Sequence, residues 1–288
     1  MRRFPLSRAL LGLMASSLVL AISTYGIAGG IKNPIKKPKF DATAESVELF
    51  SAMDSGQLKV TMISKNEFEA NIFIENKTKK PLTVKLPKTA VGVQVLKQGF
   101  GPAAGAGAAG GANNQAGSQQ GNGQAQQQGG GMGMMGGMGM GGMQGMGGMG
   151  MGMFSVPPEK TVLVPFTSVC LNHGKPTPKP SMTYKLVPTE SYTQDPVLQE
   201  MLVQVATGKL DRGAAQAATW HITDKMSWEQ LAAKTEVVLG GQGGTRPYFT
   251  RQQIIDAMSL FSAAKQQAEI RAKETPKSKE PKRAETKL

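Results

Sequence analysis

Phe68-Glu69-Ala70-Asn71-Ile72-Phe73-Ile74-Glu75 is the run that decides the fold class. Phe68, Ala70, Ile72 and Ile74 alternate with Glu67, Glu69, Asn71 and Glu75, a period of two that turns one set to a core and the other to water. The same pattern recurs outward from it. Leu58, Val60 and Met62 precede it, and Asn76-Lys77-Thr78-Lys79-Lys80-Pro81 follows as a turn. Leu82, Val84 and Leu86, then Val91, Val93 and Val95, continue the alternation across Pro87. Phe154 to Val156, then Val162, Val164 and Phe166, then Met182, Tyr184 and Leu186 extend it. Short alternating strands parted by Pro and Asn turns predict an antiparallel β-sandwich over 45–99 and 154–188.

The two β-stretches are parted by a run of different character. From Gly101 to Met153 there is no Asp, Glu, Lys, Arg or His. It starts rich in Ala and Gly, passes through Asn and Gln, and ends in Gly-Met repeats. Gly carries the largest backbone ordering cost, and Asn and Gln bury nothing apolar, so 100–153 is expected to be a disordered insertion in a loop. Lengthening a loop from about four residues to about fifty costs only ~2 kcal/mol, which a sandwich core bears. A coil of that length reaches ~40 Å on average and acts well away from the body.

After Pro188 the pattern turns helical, over 189–272. Asp195-Pro196 opens a helix with Val197, Leu198, Met201, Leu202 and Val205 on one face, and Gly208 stops it. Asp211 opens a second, through Ala214, Ala215, Ala217, Ala218 and Trp220. Ser227 with Gln230 is a capping box for a short third. Leu239 to Thr245 reads as a glycine loop. Thr250 with Gln253 opens the longest helix, whose stripe is Ile254, Ile255, Met258 and Phe261. The fold class expected is α+β: a sandwich interrupted by the insertion, then a small helical part.

The termini carry an address and most of the charge. Arg2, Arg3 and Arg8 precede the apolar run Leu10–Ile22, and small residues follow at Ala21-Ile22-Ser23 and Gly26-Ile27-Ala28. Residues 1–28 therefore read as a secretory signal, cleaved after Ser23 or Ala28. A spanning helix needs roughly 20 apolar residues, more than this run has; an uncleaved anchor and a buried helix are the alternatives. The expected destination is the periplasm, the cell surface or the medium. The net charge of +13 gathers in Lys32, Lys36, Lys37 and Lys39 of a Pro/Lys linker (29–44) and in Lys265 through Lys287, with 273–288 expected to be a disordered basic tail. Such arms favour anionic surfaces. They lack the interleaved aromatics that nucleic-acid binding wants, so the expected partner is another protein or an envelope component.

Catalytic patterns are sparse. There are two histidines, His173 and His221, and one cysteine, Cys170. The sequence holds no phosphate loop, no paired Cys-x-x-Cys and no Ser elbow flanked by glycines, and its acidic residues stand singly on strands and helices. The expectation is a non-enzymatic protein. Cys170-Leu171-Asn172-His173 reads as half of a metal site, as a Cys/His nucleophile pair, or as a buried free cysteine beside a histidine in a turn. Met132, Met134, Met135, Met138, Met140, Met143, Met146, Met149, Met151 and Met153 are thioethers, the soft ligand that selects copper(I). The same repeat resembles the Gly-Gly-Met tail of bacterial chaperonins, a flexible sticky segment without metal. Exposed methionines also serve as sacrificial oxidant traps.

Ala214-Ala215-Gln216-Ala217-Ala218-Thr219-Trp220-His221-Ile222-Thr223-Asp224 resembles the Thr-Gln-x-Ala-hydrophobic-Trp signature of bacterial surface thioester domains, with Ala215 in place of the Thr. Val169-Cys170-Leu171 is similar to their Cys-hydrophobic strand motif. The resemblance implies a thioester between the Cys170 thiol and the Gln216 side chain, and covalent attachment to a host amine. Over most of its length the chain resembles uncharacterised exported proteins of planctomycete-like bacteria, through the Gly-rich insert, Val-Cys-Leu-Asn-His-Gly-Lys-Pro, Ala-Gln-Ala-Ala-x-Trp-His and Ser-Trp-Glu-Gln-Leu-Ala. That group implies no activity. The function expected is structural or adhesive; the alternatives are a covalent Cys–Gln adhesin and a copper(I)-handling protein. Oligomeric state is not legible in these residues.

Overall fold

Ala70, Ile72 and Ile74, the apolar set of the deciding run, are each at most 1% exposed and stand in the centre of the protein. The structure is a computed structural model and describes residues 33–95, 125–132, 152–238 and 244–274. In chain order its elements are β1 (Glu45–Glu48), α1 (Leu49–Asp54), β2 (Leu58–Ser64), β3 (Glu69–Asn76), β4 (Leu82–Lys85), β5 (Ala90–Gln94) and β6 (Gln128–Met132). There follow β7 (Met153–Val156), β8 (Thr161–Cys170), β9 (Tyr184–Pro188), α2 (Thr189–Tyr192), α3 (Pro196–Ala206), α4 (Arg212–Thr223), α5 (Trp228–Ala233), β10 (Thr235–Val238), β11 (Gly244–Pro247) and α6 (Arg251–Glu274). The protein is mixed α+β, and its strands pair antiparallel except for β1 with β4, which run parallel.

The expected sandwich is a closed barrel. Its strand order is β2-β3-β8-β6-β5-β9, and β9 returns to β2 through the pair Met62↔Tyr184. Alternation shows that one face of each strand is buried; it does not distinguish a sheet covered by a second sheet from one curled upon itself. Met62, Ile72, Ile74, Val162, Val164, Phe166 and Leu186 belong to the barrel's core. A three-stranded sheet, β1-β4-β7, joins that core with α1 through Leu49, Ala52, Leu82, Val84 and Val156.

Two further expectations are corrected. The Gly/Gln/Met run was expected to build no core, yet β6 is a barrel strand. Gln128 pairs with Cys170 and Met132 with Phe166, while Ala90 pairs with Gly130 on the other side. Glycine serves here because neighbours come too close for a side chain. A Cβ on Gly129 would lie 2.8 Å from Leu202 Cδ2, one on Gly131 2.2 Å from Ala206 Cβ, and one on Gly130 1.9 Å from the Thr167 carbonyl oxygen. Helix α3 can therefore lie directly on the strand. The described part of the Pro/Lys linker is likewise docked. Ile35 N–H donates to Thr161 O (2.8 Å), Leu163 N–H to Ile35 O (2.9 Å), and Ser155 N–H to Lys39 O (2.9 Å).

Helices α3, α4 and α6 form a layer on the outside of the barrel, sharing a second core with Val91, Val169 and Leu171. Their starts follow the expected cap chemistry. Asp195 Oδ1 accepts from Val197 N–H at 2.9 Å, Asp211 Oδ1 from Ala214 N–H at 2.9 Å, and Ser227 with Gln230 closes a capping box. The two described residues of the loop expected over 239–245, Gly244 and Thr245, belong instead to β11, which pairs with β10. No helix among the described residues is long and apolar enough to cross a membrane. The expected signal (1–28), the linker up to 32, the parts of the insertion at 100–124 and 133–151, residues 239–243 of the expected glycine loop and the tail from 275 lie outside the described residues.

Candidate functional site

Strand β8 runs past its neighbour β3, and this overhang builds the site. The ladder with β3 ends at the pair Glu69↔Thr167, whereas the ladder with β6 continues to Gln128↔Cys170. The peptide groups of Cys170 on the β3 side therefore have no strand to bond. Gln216 supplies the missing partner from α4. Its Oε1 accepts from Cys170 N–H at 2.9 Å and its Nε2 donates to Cys170 O at 2.8 Å. One side-chain amide replaces one peptide unit of a strand, and both residues are 1% exposed. Ala214, Ala215, Ala217 and Ala218 are buried beside it, and their small side chains let the helix come this close.

The structure thus brings together the two residues of the expected thioester, 46 positions apart, with the carboxamide on the backbone of Cys170. The thiol points elsewhere, toward the Glu67 carbonyl oxygen at 4.0 Å. Burial pushes the Cys170 thiol well above its ordinary range, and the charge of Glu67 adds to this.

Around this junction lie the remaining residues with chemical content. His173 N–H donates to Asp224 Oδ1 at 3.1 Å, and its ring stands edge-on to Trp220 with centroids 4.7 Å apart. Burial, and then the Lys234 charge, lower the affinity of His173 for a proton, against a smaller opposing effect of Asp224. Lys234 Nζ sits 4.9 Å from the ring centre of Tyr248 and 5.6 Å from that of Trp220. The Tyr248 hydroxyl is pushed up to about 12, chiefly by burial. His221 stacks on Trp228 at 4.0 Å, meets Phe261 edge-on, and donates from Nδ1 to Met226 O at 2.8 Å. His173 and His221 are thus placed on different aromatic groups, and the Cys170 thiol is directed to the Glu67 carbonyl oxygen and not to His173.

The sequence reading missed a cavity of about 250 Å³ between barrel and helices, lined by Phe68, Glu69, Thr167, Gly208, Leu210 and Arg212 among others. At its mouth Arg212 is paired with Glu69, and Lys65 stands 3.5 Å from the same carboxylate. The hydrogen bond from Arg212 holds the Glu69 carboxyl below its ordinary range against burial, with Lys65 adding to the effect. No sequence signal links residues so far apart.

Of the expected metal ligands, Met132 is buried in the barrel core at 7% exposure and Met153 begins β7. Met134, Met135, Met138, Met140, Met143, Met146, Met149 and Met151 lie outside the described residues. Among the described residues no group of three or more His, Cys, Asp or Glu is placed to hold a metal ion. Comparison with protein-family models, with curated proteins and with solved structures finds no match.

Proposed function

We propose that this is an exported, non-enzymatic structural or adhesive protein of the periplasm or cell surface. The observation that supports the structural part is the engagement of the Gln216 carboxamide at both ends by the backbone of Cys170, with the thiol buried. The pair acts as a joint between barrel and helical layer. Export rests on the basic start and apolar run of 1–28, and contact with anionic surfaces on the basic arms.

A second reading, the covalent adhesin, is favoured by the adjacency of Cys170 and Gln216 in a buried junction that shelters an acyl group from water. In that chemistry Cys170 Sγ bonds to Gln216 Cδ and ammonia leaves; a host amine then takes the acyl group and releases the thiol. The intact mass of the mature protein separates the two readings and also gives the cleavage site. The plain polypeptide mass, unmoved by methylamine, is expected. A mass short by one ammonia, raised by the mass of one methylamine on treatment and absent in Cys170→Ala, overturns the joint and establishes the thioester.

A further inference from the structure

Strand β6 is bound to the barrel in an unusual way. Every other barrel strand is tied to a sequence neighbour by a shorter connection, such as 65–68 between β2 and β3. Only β6 among the described strands has a long connection on each side, about 30 residues from β5 and about 20 to β7. It nonetheless fills the gap between β5 and β8. Without it, Ala90–Gly92 on one side and Phe166–Cys170 on the other would present unpaired edges, which are templates for another strand.

The gap is selective. Positions 130 and 131 have room for glycine alone, and a side chain at 129 would have to displace the ends of Leu202 and Leu171. Position 128 is a buried glutamine whose Nε2 donates to Asn66 O at 2.5 Å and to Ser168 Oγ at 3.1 Å. Position 132 brings Met132 into the barrel core. The chain that carries this pattern is the protein itself. Within β6 the apolar anchoring is a single side chain, Met132, and the strand is held chiefly by its ladders to β5 and β8, which the same strand of a second copy makes equally well. All its contacts are reproduced when the strand comes from another copy. The balance between own and foreign strand is then set by tether entropy against concentration.

We propose that the gap between β5 and β8 is an interaction site for a Gln-Gly-Gly-Gly-Met strand. The chain's own β6 fills it at low concentration, and β6 of a second copy fills it when molecules are crowded together. The protein then assembles by strand exchange, reciprocally into a dimer. This goes beyond the structural reading above and does not depend on export or on the state of Cys170–Gln216.

The single native cysteine allows a direct test, because Gln128 lies opposite Cys170. The peptide groups of Cys170 are bonded to Gln216, so this is the close, non-hydrogen-bonded kind of pair, with Cα atoms ~4.5 Å apart, within disulfide range. A donor carrying Gln128→Cys and Cys170→Ala is mixed with mass-labelled wild-type protein in a glutathione buffer, whose oxidised form accepts the two electrons as the disulfide forms. The expected result is a covalent heterodimer joined from position 128 to Cys170, rising with protein concentration. A control donor with Lys179→Cys and Cys170→Ala should give on the order of tenfold less, because its surface thiol has no route to a buried partner. Equal yields from the two donors, or no heterodimer at the highest concentration, overturn the proposal. Because Gln128→Cys removes two hydrogen bonds, unmodified protein is examined in parallel. Light and heavy wild type should give mixed dimers in native mass spectrometry. The peptide Ala-Gln-Gln-Gln-Gly-Gly-Gly-Met should suppress them, and its form with Gly130→Ala should do so about tenfold less well. Monomers only, or equal suppression by both peptides, also overturn it. These outcomes leave the methylamine result untouched, so a failure here is distinct from a failure of the structural reading.

Discussion

Gln216 and Cys170 make different demands on the protein although they touch. Replacing Gln216 by Ala strips partners from a buried N–H and a buried C=O, each worth ~1–3 kcal/mol when left unpaired, so a loss of about 3 kcal/mol or more is expected in urea unfolding. Cys170→Ala keeps both of those bonds, because they go to backbone, and should cost no more than about 1.5 kcal/mol. A thioester would make the two substitutions equivalent, so equal losses would count against the joint. His173 gives a pH signature. Its folded state binds a proton less readily than the ordinary 6.5. The unfolded chain therefore takes up more protons as pH falls, so stability from this residue is complete above about pH 6.5 and declines below it toward the folded value. Comparing urea midpoints at about pH 7.5 and about pH 5.5, the wild type should lose more on acidification than His173→Asn. An identical loss in both would exclude His173 as the source.

At the scale of single elements, β6 is governed by space and not by apolar content. A methyl on Gly130 would fall on the backbone oxygen of Thr167, which cannot swing aside as a side-chain end can. Gly130→Ala is expected to cost about 3 kcal/mol or more. The comparison is Gly174→Ala, where nothing lies within 4 Å and only the positive φ opposes the substitution, at ~1 kcal/mol. If the two cost the same, close packing is not what selects glycine in β6. Elements whose signals are local were legible. The N-caps Asp195 and Asp211 and the capping boxes at Ser227 and Thr250 stand where their spacing predicted, because a cap is formed by residues two or three positions apart. Strand β6 was not legible. Its neighbours in space, Thr167, Leu202 and Ala206, are remote in sequence, and a run of glycines carries no hydrophobic period.

The whole molecule depends on that strand to close the barrel. Protease sites engineered within 96–124 and 133–151 should, once cut, leave the fragment that carries Gln128–Met132 bound, giving three co-eluting pieces under native conditions. A fragment lost on gel filtration without denaturant would mean that the barrel closes without it. The sequence by itself determined the α+β class, most barrel strands with their buried faces and the helix starts, since each rests on short-range periodicity or cap chemistry. Tertiary structure alone decided that the alternating strands curl into a barrel, that a Gly-rich run becomes a buried strand, and that the Gln216 amide bonds the backbone of Cys170. Those outcomes depend on which distant groups meet in space, where closure of the sheet and the supply of unpaired peptide groups are properties of the assembled fold.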